Sequence, residues 1–155
     1  MALAVAEAHR ILRPGGWLLD LHPAGVAMRL EAWLRLRPGT DGPDAAPDPA
    51  DYQRQPLGEL AGEESLPDFV AASAALKAAV GQGFEPGQTL PFEYQYFFDS
   101  LDELTDYLEE NEDMALASDE LLERALHASA QATTPVKLVL IQPVMAASLR
   151  KPVAP

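Results

Sequence analysis

The chain has 155 residues, of which 48% are hydrophobic and 23% charged, and it contains no cysteine. That is the length and composition of one folded domain, and the missing thiols exclude disulfides, thiol nucleophiles and thiolate metal sites. Eleven Lys and Arg against 24 Asp and Glu leave a net charge of −13, which repels phosphate backbones and anionic lipid, so the reading is no nucleic acid and no membrane partner. With no basic leader and no run near the ~20 apolar residues of a membrane span, a cytoplasmic protein is expected.

In chain order, Met1, Ala4, Val5, Ala8, Ile11 and Leu12 fall at three- and four-residue steps and predict a helix over 1–12. Arg13-Pro14-Gly15-Gly16 ends it, because the residue before a proline is driven out of the helical region and the glycines allow a sharp turn. Trp17-Leu18-Leu19-Asp20-Leu21-His22-Pro23 is mostly apolar and too short for a helix, which predicts a buried strand. Val26, Leu30, Trp33 and Leu34 predict a second helix over 24–37. Four prolines, two glycines and three aspartates between Pro38 and Ala50 predict a flexible loop over 38–50.

An extended piece is expected from Tyr52 to Leu60. A helix follows from Pro67 to about Val80, closed by Gly81 and Gly83. Phe92, Tyr94, Tyr96 and Phe98 alternate with Glu93, Gln95 and Phe97, the period of a strand over 90–98, and aromatics at that spacing are core residues before they are a pocket. Ser100 and Glu103 form a capping box. A short helix carrying Leu104, Tyr107 and Leu108 is expected after it. A last helix is expected from Asp119 to about Ser129, with Leu122, Ala125 and Leu126 inward. Leu138-Val139-Leu140-Ile141 predicts a final strand over 136–142 with both faces covered. Residues 151–155 read as a frayed tail.

The stretch Glu7-Ala8-His9-Arg10-Ile11-Leu12-Arg13-Pro14-Gly15-Gly16-Trp17-Leu18-Leu19-Asp20 resembles class I S-adenosylmethionine-dependent methyltransferases. In that family a helix ending in Arg-hydrophobic-Leu-Lys/Arg-Pro-Gly-Gly leads into the fifth strand of the sheet, and Arg10, Leu12, Arg13, Pro14, Gly15 and Gly16 match that motif in a structural role. The order of helix, aromatic strand and final antiparallel strand is also similar to the family's C-terminal half. The resemblance implies an α/β domain over 1–150, an incomplete Rossmann-like sheet of three or four strands, mixed parallel and antiparallel. It also implies that the cofactor half is missing: the family holds S-adenosylmethionine on a glycine-rich loop after the first strand and an acid ending the second, and this chain supplies neither. Gly15-Gly16 precedes a strand rather than opening a helix, and Gly81-Gln82-Gly83 follows a helix. No cofactor is therefore expected in the isolated chain, and no metal, since the eleven carboxylates between Asp99 and Glu123 lack the spacing of a calcium loop and read as solvated helices.

Two functions are expected from this reading. The first is a methyltransferase-like interaction or dimerisation module, not catalytic alone, that forms a homodimer or binds a partner chain along the strand 17–22, whose apolar edge has lost its neighbours. The alternative is the C-terminal part of a methyltransferase acting on an unidentified acceptor, its cofactor site supplied by another chain or lost by truncation. Asp20 and His22 lie on one face of the strand, at its carboxyl end, and are the candidate substrate-facing residues: an acceptor contact or general base against a solvent-facing polar pair. His9 and His127 read as structural or surface residues. Arg29, Arg35, Arg37 and Trp33 are a weak basic-aromatic group more easily explained as surface.

Overall fold

The computed structural model describes residues 2–36, 47–61, 66–111 and 116–153. Its helices are α1 (Ala2–Ile11), α2 (Leu66–Ala79), α3 (Leu101–Glu110) and α4 (Asp119–Gln131). Its strands are β1 (Trp17–Pro23), β2 (Arg29–Arg35), β3 (Tyr52–Glu59), β4 (Glu85–Phe98) and β5 (Val136–Arg150). The strands pair in the order β1-β5-β2-β3, with β4 also on β5. All pairings are antiparallel, so the fold is α+β and the expected incomplete Rossmann-like sheet of three or four strands, part parallel, is overturned.

The cause lies in residues 24–37. A parallel sheet needs a crossover, usually a helix, between neighbouring strands, and the helix expected there is strand β2. In Arg29-Leu30-Glu31-Ala32-Trp33-Leu34-Arg35, the residues Leu30, Ala32 and Leu34 line one face and Glu31 and Trp33 the other. Residues 30 to 33 are all buried, with Trp33 0% exposed. The other expectations meet the described residues unevenly. The extended piece at 52–60 is β3, the aromatic strand begins five residues early, and the final strand runs eight residues past Gln142. On α4 the inward residues are Leu121, Ala125 and Ala128, while Leu126 is exposed. Met1, residues 37–46 of the proposed loop, and the tail residues 154–155 lie outside the described residues.

The chain divides into two compact units. Unit 1 comprises residues 1–26, 65–94 and 143–155. In it β1 pairs with the second part of β5, from Trp17↔Arg150 to Pro23↔Val144. Val5 of α1, Leu76 and Ala79 of α2, Phe84 and Leu149 form its buried cluster, with Leu12 and Leu18 against it. The turn between α1 and β1 is set by its sequence. Arg13 O accepts from Gly16 N at 2.9 Å, Pro14 supplies the second position and Gly15 the third at φ +79°, the signature of a type II turn. The Lys151 ammonium donates to His9 O at 2.7 Å and Leu12 O at 2.8 Å, satisfying two carbonyls at the end of α1. Lys151 N also donates to Gly16 O, so the expected frayed tail is held at its first residue. Gly83, at φ +100°, is the left-handed residue that ends the short 3-10 turn after α2.

Unit 2 comprises residues 27–64 and 95–142. Here β2 lies between β3 and the first part of β5, with Arg29↔Ile141 through Leu34↔Val136. Leu138 to Ile141 are at most 1% exposed, as an apolar run covered on both faces requires. Leu138 and Leu140 join Leu30, Leu104, Leu121 and Ala125 in one cluster, beneath α3 and α4. Val139 and Ile141 join Trp33 and Tyr52 on the other face, with Phe97 packed against them. Where β2 and β3 shift register, Pro56 sits at the bulge, where a missing amide costs no ladder bond. The capping box forms: Ser100 Oγ accepts from Glu103 N at 3.1 Å, and the Glu103 carboxylate accepts from Asp99 N at 2.7 Å. Ser118 caps α4 in the same way.

One buried charge stands on the second face of unit 2. Glu31, 5% exposed, accepts from Arg54 Nε at 2.8 Å, Arg54 Nη2 at 3.0 Å, Trp33 Nε1 at 2.9 Å and Arg29 Nε at 3.3 Å. Arg54 also lies over the Trp33 ring and Arg35 over Tyr52, so the basic-aromatic group read from the sequence is an internal structure at Arg29, Arg35 and Trp33. Arg37 lies outside the described residues. Burial is the largest influence on the Glu31 carboxyl and pushes it up. The Arg54 and Trp33 bonds, the Arg54 charge and the Arg29 bond together outweigh it and hold the group below its ordinary 4.5. A carboxyl lowered by folding adds stability that is complete above its unfolded value and is lost as the pH falls through the folded one. Glu31→Gln is therefore expected to cost about 2 kcal/mol at neutral pH and to shrink the loss of stability below pH 4.5. Urea unfolding at neutral and acid pH checks both.

Candidate functional site

The site begins with the period of β1. Alternate side chains point to opposite faces, so Leu18, Asp20 and His22 share one face, and Trp17, Leu19 and Leu21 share the other. The first set is partly or fully buried and the second is exposed, which corrects the expected buried strand to a half-covered one. The Asp20 carboxylate accepts from His22 Nδ1, a contact allowed by their two-residue spacing. The remaining ring nitrogen, Nε2, lies 2.8 Å from Ser73 Oγ on α2. His22 is 7% exposed and Ser73 half-buried.

In the neutral ring a carboxylate on Nδ1 favours the proton there, which leaves Nε2 its lone pair and lets the Ser73 hydroxyl donate to it. This hydroxyl-imidazole-carboxylate relay is the arrangement of a general base held in its working tautomer. It borders a cleft of about 240 Å³. Leu76, Val80, Met145 and Leu149 make its apolar wall, and Ser73, Lys77 and Thr89 add polar groups around His22. Two glycines shape the surroundings. At Gly25, φ +74°, a Cβ would meet Val70 Cγ2 at 3.0 Å where the chain leaves β1. At Gly87 a Cβ would lie 2.3 Å from Ser148 Oγ, which itself accepts from Gln88 N and donates to Gln88 O. Only glycine lets β4 approach β5 that closely.

Ser73 lies eight residues into a 14-residue helix, where its own amide is committed to the helix ladder and cannot serve as an oxyanion donor. A base needs no such donor. Proton abstraction from a group entering the cleft is chemistry that such an arrangement can do without further parts.

Asp20 and His22, the two residues singled out by strand period, are together in the site. Ser73 was missed because it is 51 residues away and carried no motif; a small polar residue on the inward stripe of α2 was its single trace. The motif residues stand apart from this chemistry. Arg10 pairs with Glu7 at 2.6 Å on the surface, Leu12 packs into the core of unit 1, and Arg13, Pro14, Gly15 and Gly16 form the turn. His9 packs edge-on against Phe84 with ring centroids 4.9 Å apart, and His127 is exposed on α4.

A Cβ on Gly83 would meet the His9 ring at 3.2 Å and one on Gly16 would meet Arg13 O at 2.9 Å, whereas one on Gly81 would meet nothing within 4 Å. None of these glycines opens a helix. Among the described residues no group of three His, Asp or Glu is placed to hold a metal ion, and no helix is long and apolar enough to cross a membrane.

The relay predicts the state of the imidazole. In ¹⁵N NMR at about pH 8.5, above the ordinary histidine range, His22 should carry its proton on Nδ1. Asp20→Asn should shift the population toward the Nε2–H form and lower stability by about 1–3 kcal/mol, whereas Ser73→Ala should leave the tautomer unchanged. An Nε2–H tautomer in the unaltered chain would remove the base from the site. Comparison of the chain with protein-family models, with curated proteins and with solved structures finds no match in any of the three.

Proposed function

We propose that this chain is a methyltransferase-like protein that furnishes the acceptor side of the reaction, with His22 as general base and Asp20 as the residue that orients it, the cofactor site coming from outside these residues. The observation that carries the reading is the position of Nε2: it faces Ser73 and the cleft at the carboxyl end of β1, directly after the turn whose sequence resembles the family motif. A final strand antiparallel to β1 also agrees with the resemblance, although the part of β5 that pairs with β1 is residues 144–150 rather than 136–142.

In this reading an acceptor hydroxyl or amine displaces the Ser73 hydroxyl from Nε2 and gives its proton to the ring as it becomes nucleophilic. The imidazolium formed is stabilised by the Asp20 carboxylate, and the apolar wall holds the acceptor's body. A cleft of about 240 Å³ lies below the usual range for drug-sized ligands, so the acceptor is a small molecule or a single side chain.

Two measurements test this. Isothermal titration of the chain with S-adenosylmethionine and S-adenosylhomocysteine should give no saturable heat up to about 1 mM, the weak end of specific binding. Saturable heat would return the cofactor site to this chain. Small alcohols and amines with an apolar body should shift the Met145 methyl signal, and His22→Gln should weaken that response about tenfold, the value of one hydrogen bond. If neither class of compound perturbs Met145, the acceptor role is wrong.

A further inference from the structure

The face of unit 1 opposite the His22 cleft is apolar and open. Trp17, Leu19 and Leu21 on β1 are 53%, 77% and 65% exposed, and Leu90, Phe92 and Tyr94 on β4 are 58%, 39% and 52% exposed. Between the two rows, β5 presents Ala146 and Ser148, with Arg150 over the Trp17 ring at the end. Leu19 and Leu21 on one side and Gln88 and Leu90 on the other wall a trough of about 330 Å³, which Asp20 also lines. The six large side chains expose on the order of 600–700 Å² of largely apolar surface, more than the patch of a typical monomer and close to the ~800 Å² that each partner buries in a stable complex.

Charge decides which partner suits this face. Residues 1–26, 65–94 and 143–155 hold five acidic and five basic side chains, whereas residues 27–64 and 95–142 hold nineteen acidic and six basic ones. The whole net charge of −13 therefore belongs to unit 2, and unit 1 is neutral. A basic partner would be drawn to unit 2. Unit 1 has no net charge to draw or repel a charged protein, and a surface without net charge that is largely apolar is the one most prone to meet its own kind. Its relief is also self-complementary: a ridge, Leu19 and Leu21, runs beside a trough floored by alanine and serine. Two copies related by a two-fold axis can each lay the ridge in the other's trough, which is the reciprocity an isologous contact requires.

We propose that two copies of this chain associate through this face of unit 1, ridge into trough, as a symmetric dimer. The His22 cleft opens on the other face of the same strands and remains accessible.

Sedimentation velocity with multi-angle light scattering tests the proposal on the full chain at about 50 μM, a concentration above the Kd expected of a contact this size. The expected result is a particle of twice the 16.7 kDa chain mass. Because the contact is apolar, the dimer should persist as salt rises about tenfold. Leu21→Glu on the ridge and Leu90→Glu on the trough wall should each shift the midpoint of dimerisation at least tenfold toward monomer. Both positions are exposed, so far-UV circular dichroism and urea unfolding of the diluted protein should be unchanged, which separates a lost contact from a lost fold. A monodisperse monomer, open-ended oligomers, or a dimer indifferent to both substitutions would each overturn the proposal.

Discussion

Strand β5 is the element on which both units depend. Its first part, Leu138 to Ile141, is apolar at four successive positions, and a strand of that kind is stable only with neighbours on its edges and cover on both faces. In unit 2 the edge is met by β2 and one face by α3 and α4. The other face is met by Trp33, Tyr52 and Phe97 with the Glu31–arginine group beside them. In unit 1 the same strand alternates instead, with Leu149 buried on one side and Ser148 and Ala146 open on the other. The composition of one 15-residue strand thus divides a fully enclosed core from a half-covered sheet.

The half-covered sheet is what makes a site possible. Period two on β1 puts leucines on the open face and delivers Asp20 and His22 to the covered one, where α2 supplies Ser73. A helix alone gives that serine no reactivity. Its significance comes from an imidazole whose proton is fixed on the far nitrogen by a carboxylate on its own strand. Orientation here costs little entropy, since donor and acceptor are two residues apart on a paired strand.

How much of this could be read in the sequence depended on the range of each signal. Local chemistry was legible: the Arg13–Gly16 turn, the Ser100–Glu103 box, the paired Asp20 and His22, and the two-faced burial of 138–141. Residues 29–35 were not, because Leu30, Trp33 and Leu34 fit a helical stripe as well as Leu30, Ala32 and Leu34 fit a strand, and the glutamate between them gave no sign of being buried against Arg54. That ambiguity, added to the family resemblance, left a mixed parallel and antiparallel sheet expected where every pairing is antiparallel. The extent of β5 was hidden by Pro143, which lacks an amide yet accepts from Ala24 N at 2.8 Å through its carbonyl. Ser73 and the open face of β1 were beyond any window, since they depend on which distant element covers which side.

The attachment of Lys151 to the end of α1 gives unit 1 an order of assembly. Its helix α1 and strand β1 are synthesised long before their partners on β5 and before the ammonium that closes α1. Most of unit 2 lies between them, but the part of β5 that completes its sheet, residues 136–142, comes directly before the part that β1 joins. At ordinary elongation rates the first helix and strand wait on the order of ten seconds for their complement. During that interval the leucines and tryptophan of β1 have no sheet to join.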